Sequence, residues 1–102
     1  DTAFYEIFIS PAQTIFIPNA FTPNGDGKND FFKPSIYDVL SFDLKVFNRF
    51  GKQVYQSADT YDQWDGKYKG KKLQDGVYVY QLTYIDLDKI PYERFGHVTI
   101  LR

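Results

Sequence analysis

At 102 residues, with 12 Lys and Arg against 13 Asp and Glu, the chain is the size of one domain and carries a net charge of −1. That balance excludes the basic face of a nucleic-acid module, and the lack of cysteine excludes disulfide frameworks and thiolate metal sites. No apolar run approaches the ~20 residues of a membrane helix. No leader pattern opens the chain, which starts Asp1-Thr2-Ala3 and is read as a module of a longer protein. Aromatic residues make up 20%, with nine Tyr and ten Phe. Such side chains favour pleated, half-buried surfaces, so composition points to an all-β fold.

In chain order, Phe4–Ile9 alternates Tyr5, Ile7 and Ile9 against Phe4, Glu6 and Phe8, which predicts a lead-in strand ended by Pro11. Residues 1–13 are assigned to a lead-in from a preceding region, and 14–102 to the domain itself. Ile15–Ile17 is a second short strand, stopped at Pro18 because proline cannot donate to a ladder. Pro18–Phe32 then combines Asn19, Asn24, Asp26, Asn29 and Asp30 with Gly25, Gly27 and the anchor Phe21. Glycine opens backbone angles closed to other residues, and Asn/Asp side chains bond nearby amides, so this stretch is predicted to fold as one compact knot.

Phe31–Ile36 is interrupted by proline and too short for a central strand. In Ser41–Phe50, Phe42, Leu44 and Val46 face one way and Asp43 and Lys45 the other, the period of a half-buried strand. Asn48–Lys52 makes a hairpin turn, with Gly51 at a positive-φ position, and Gln53–Ser57 returns. Trp64 is expected to plug the core, with Asp65-Gly66 turning after it. Lys67, Lys69, Lys71 and Lys72 mark a solvated hairpin around Gly70. After the Asp75-Gly76 turn, Val77–Ile85 buries Tyr78, Tyr80, Leu82 and Tyr84 on one face. Asp86–Lys89 turns, and Tyr92–Leu101 is a last strand with Val98 and Ile100 on one side. With no helical periodicity and about seven short strands, the pattern indicates an antiparallel β-sandwich.

Catalytic signals are sparse. The single His, His97, sits between Gly96 and Val98 without a patterned carboxylate or Ser partner. Most of the eleven Asp fall at turns, so no enzyme is read here. Calcium is the one cofactor the pattern raises, because hard cations take several oxygens from a glycine-bent loop. Asn24, Asp26 and Asp30 stand at positions 1, 3 and 7 of such a loop. Lys28 at position 5 and the lack of a Glu at position 12 depart from the EF-hand pattern, leaving a metal-free network of Asn/Asp turns as the other reading. The many tyrosines raise carbohydrate stacking as a further option.

Five blocks together carry a resemblance. They are Pro18–Phe32, Lys45-Val46-Phe47-Asn48-Arg49-Phe50-Gly51, Trp64-Asp65-Gly66, Asp75-Gly76-Val77-Tyr78-Val79-Tyr80 and His97-Val98-Thr99-Ile100-Leu101-Arg102. In this order they resemble the gliding-motility-associated C-terminal domain, the type B sorting domain of the type IX secretion system of Bacteroidota. The resemblance implies an immunoglobulin-like antiparallel β-sandwich at the end of large surface or secreted proteins such as motility adhesins. It also implies a non-catalytic export address read by the secretion machinery, including an outer-membrane β-barrel of the PorP/SprF kind. The residues expected to meet that partner are Phe21, Asn24, Asp26 and Asp30 in the loop. At the chain's end they are Gly96, His97, Val98, Thr99, Ile100, Leu101 and Arg102. An adhesive or carbohydrate-binding sandwich is the alternative.

Overall fold

The computed structural model describes residues 15–102. The predicted strand Phe4–Ile9 and the boundary after residue 13 lie outside the described residues. Within them the chain is all strand: β1 (Ile15–Phe16), β2 (Ala20–Phe21), β3 (Ser35–Ile36), β4 (Val39–Phe47), β5 (Gln53–Ser57), β6 (Lys67–Tyr68), β7 (Lys71–Lys72), β8 (Gly76–Asp86) and β9 (Pro91–Ile100). Three of these, β4, β8 and β9, coincide with the long alternating runs of the sequence.

One five-stranded sheet, ordered β2-β9-β8-β4-β5, forms the main layer. Its register puts Val46 opposite Tyr80, Leu44 opposite Leu82 and Phe42 opposite Tyr84, with Tyr78 opposite Val98. These residues therefore share one face, and all of them are buried. Against that face lie the β1–β3 pair, the β6–β7 hairpin and an isolated bridge between Phe32 and Trp64. Phe21, Phe32, Ile36, Trp64, Val98 and Ile100 complete the core between the two layers, an all-β sandwich.

The turns follow from local chemistry. In the β4–β5 hairpin the Asn48 side chain accepts the amides of Phe50 and Lys52 at 2.9 and 3.0 Å, and Gly51 takes φ 84°. An Asn side chain that mimics a backbone turn and a residue free to adopt positive φ are what this loop requires. The β8–β9 turn is held by Asp86, only 3% exposed. Its carboxylate accepts the Asp88 and Ile90 amides, both at 2.9 Å.

Two features differ from the sequence expectation. There are nine strands among the described residues rather than about seven, because five of them are only two residues long, too short for any periodicity to register. The sandwich is also not wholly antiparallel. Ala20–Phe21, read as part of the loop, instead pairs parallel with β9, Ala20 opposite Thr99 and Phe21 opposite Ile100. A parallel partner comes from a distant part of the chain, which no local signal announces.

Trp64 is the hub of the core. Its ring lies 5.5 Å from Phe21, 5.7 Å from Tyr55 and 5.8 Å from Tyr78, centroid to centroid. Its indole N–H donates to the Lys67 carbonyl at 3.1 Å, so burial leaves no unpaired donor. At 1% exposure, Trp64→Ala is expected to cost about 3–5 kcal/mol, read from denaturant melts.

Burial, the leading cause in both cases, holds the Tyr55 and Tyr78 hydroxyls above the usual phenol range. A raised folded-state value means that the fold favours the protonated form. The associated stability is present below the unfolded-state value of 10.0 and is lost as pH rises beyond it. Melting temperature is expected to fall above about pH 10, and Tyr55→Phe to blunt that fall in alkaline thermal scans.

Candidate functional site

Between β2 and the Phe32 bridge, the chain folds on itself through a ladder of side-chain to backbone hydrogen bonds. The Thr22 amide donates to the Asn29 carbonyl at 2.7 Å and closes the loop. Asn24 Oδ1 accepts the Asp26 amide at 3.1 Å, and Asp26 Oδ1 accepts the Lys28 amide at 2.8 Å. Asp30 spans the loop from its far end, taking the Gly25 amide on Oδ1 at 3.0 Å and the Gly27 amide on Oδ2 at 2.8 Å. Each Asn or Asp thus orients a turn two to five residues away, which is why this polar, glycine-bearing stretch is a compact knot. Asn24 to Asn29 are exposed.

The chain's end is fastened beside this loop. Thr99 donates its amide to the Asn19 carbonyl and Leu101 donates to the Phe21 carbonyl, each at 3.0 Å. The Arg102 amide donates to Asp75 Oδ2 at 2.9 Å, and its Nη1 lies 3.2 Å from Asp75 Oδ1. Nη1 also donates to the Leu73 carbonyl, and Nη2 to the Gly66 carbonyl at 3.3 Å. Gly66 is needed here on two counts. It has φ 78°, and a Cβ on it would lie 3.2 Å from Arg102 Nη2 and 3.3 Å from Pro23 Cγ. The arginine therefore ties together the Asp65-Gly66 turn, the Asp75-Gly76 turn and the end of β9.

The structure brings the two sequence-predicted segments to one end of the sandwich and sorts their side chains. Phe21, Val98 and Ile100 are 0–1% exposed and face the core, so in the folded domain their side chains are not surface. Asn24, Asp26, His97 and Leu101 are exposed and Asp30, Gly96 and Thr99 partly so, while Arg102 is exposed as a residue but its pinned side chain is only 19% exposed. Sequence reasoning missed Asp75, read only as a turn residue. Its role could have been found from the hairpin register, since Gly76 opposite Ile100 carries Asp75 to the side of the chain's last residues.

The oxygens proposed for calcium are engaged in shaping the loop. Asn24, Asp26 and Asp30 already accept four backbone amides between them. Among the described residues, no three His, Cys, Asp or Glu side chains gather closely enough to hold a metal ion. Tyr78, Tyr80 and Tyr84 are buried in the core, as their alternation predicts, while Tyr37 and Tyr61 are exposed. No helix among the described residues is long and apolar enough to cross a membrane.

Fold and site together define a small all-β sandwich whose end presents a rigid polar loop and a pinned final strand. The sequence profile of the CHU_C type IX secretion signal domain matches residues 15–100, and the chain belongs to that family. Membership gives the domain a secretion-signal role: it marks its protein for export and interacts with the type IX machinery. No curated protein matches the chain.

Because the loop's shape is accounted for by its own amides, the melting temperature is expected to be the same in millimolar calcium and in excess EDTA. A rise of several degrees with calcium would instead make Asn24, Asp26 and Asp30 ligands.

Proposed function

We propose that the domain is a non-catalytic address that carries a large cargo, an adhesin or a secreted enzyme, across the outer membrane to the cell surface or medium. The machinery grips the end of the sandwich that carries the loop Asn24–Asp30 and the residues Leu101 and Arg102. An outer-membrane β-barrel of the PorP/SprF kind is the partner of this reading. Residues 14–102 act as the signal, and residues 1–13 connect it to the preceding region.

The observation that supports this reading is that two segments far apart in the chain come to the same end of the sandwich. β2 pairs with β9, and Arg102 is held by Asp75, Leu73 and Gly66. A surface already ordered before the encounter loses little conformational entropy on binding. Phe21, Val98 and Ile100 serve it from beneath, by fixing the backbone that carries the exposed groups. The adhesive or carbohydrate-binding alternative would have to use the exposed Tyr37 and Tyr61, since Tyr78, Tyr80 and Tyr84 are buried. A calcium ion plays no part in the proposal.

The test is fusion of residues 1–102 to a reporter in a type IX-competent bacterium that also expresses the partner barrel. The reporter is expected outside the cell, and retention in the periplasm would count against the proposal. Asp75→Ala frees the Arg102 end. It is expected to cut export severalfold while costing no more than about 1 kcal/mol, because Asp75 is half exposed. Unchanged export in that variant would remove the pinned end from the signal.

A further inference from the structure

The two edges of the five-stranded sheet are treated differently. At one edge, β5 is short, follows Lys52 and is bulged against β4 between Val46 and Phe47. Shortness, a flanking lysine and a bulge are devices that discourage a strand from pairing with another molecule. At the other edge, β9 runs ten residues in unbroken register with β8, from Gly76 opposite Ile100 to Ile85 opposite Pro91. Among the described residues its outer side is covered only by β2, at Thr99 and Ile100.

The amides of Thr99 and Leu101 point outward, to Asn19 and Phe21. Backbone groups alternate along a strand, so Glu93, Phe95 and His97 also turn their N–H and C=O groups to this edge. All three are exposed, and Phe95 is 65% exposed although wholly apolar. β9 begins at Pro91 and carries Glu93 and Arg94, but from Tyr92 to Ile100 it has no lysine, no further proline and no bulge against β8.

We propose that this edge pairs with a second copy of the chain, β9 against β9 in antiparallel fashion, about a two-fold axis through Phe95. That register is self-complementary. Phe95 meets its own copy, and Glu93 stands opposite His97 on both sides of the axis, a carboxylate facing an imidazole N–H donor. Arg94, the charged residue on the core side of the strand, falls opposite Gly96, which has no side chain to obstruct it. The space a side chain on Gly96 would need is taken by the hydroxyl end of Tyr80. The guanidinium is therefore brought towards the Tyr80 hydroxyl of the other copy, an oxygen that can accept its N–H. An isologous pairing of this kind closes as a dimer and leaves the guarded β5 edges outermost.

Sedimentation of the full 102-residue chain from micromolar to millimolar concentration is expected to show a reversible monomer–dimer equilibrium. Phe95→Pro removes one outward amide without touching the β8 ladder and is expected to be monomeric throughout. Glu93→Lys and His97→Glu are each expected to weaken dimerisation about tenfold, and the double variant to restore it. A wild-type chain that stays monomeric, as when residues 1–14 of the same chain or another protein take the edge, overturns the proposal. So does a Phe95→Pro dimer, or a double variant without rescue. Glu93 and Phe95 lie outside the surface assigned to export, so failure here leaves that assignment standing.

Discussion

The packing of the Trp64 indole is the constraint on which the rest of the structure depends. Phe21 belongs to β2 and Tyr55 to β5, the two outermost strands of the five-stranded sheet, yet both rings pack on the same indole. Strands at opposite edges of a flat five-stranded sheet would lie roughly 19 Å apart. Shared contact with one side chain therefore draws aromatic rings from both edges together over the middle of the sheet. The Phe32–Trp64 bridge, with amide to carbonyl bonds of 2.8 and 2.9 Å in each direction, holds that side chain at the right height. A chain without cysteine has no covalent staple for its second layer. Here this aromatic cluster takes that part, with Phe32 also 6.0 Å from Tyr80.

From that cluster the placement of the proposed surface follows. Phe21 can reach Trp64 only if its strand lies beside β9, and this placement lets Asn19 and Phe21 accept the amides of Thr99 and Leu101. The same placement sets Pro23, and the acidic loop after it, next to Arg102. The core thus determines where the chain's last residues emerge, and the loop and the arginine take fixed positions relative to each other. In the proposed reading such fixity matters, because a surface that is already ordered loses little conformational entropy on binding.

Alternation along β9 divides its work. Even-numbered Val98 and Ile100 fill the core, while odd-numbered His97, Thr99 and Leu101 turn to solvent or to the β2 edge. One strand can therefore be a structural wall and a presented edge at once, the two duties falling on opposite sides of the same backbone. Gly96 interrupts the inward row because Tyr80 occupies the space a side chain would need.

Much of this was legible in the residues themselves. The hairpin from Phe42 to Ser57, the buried stripe Tyr78-Tyr80-Leu82-Tyr84, the inward Trp64 and the knot around Asn24, Asp26 and Asp30 are set by period-two alternation and by turn chemistry. Both act over a few residues and leave a local pattern. The parallel pairing of Ala20–Phe21 with Thr99–Ile100, the anchoring of Arg102 by Asp75, and the inward orientation of Phe21 were decided only in three dimensions. Those contacts join positions 27 to 79 residues apart. Two-residue strands and single ion pairs carry no periodicity, so their partners are chosen by how the layers pack around the indole.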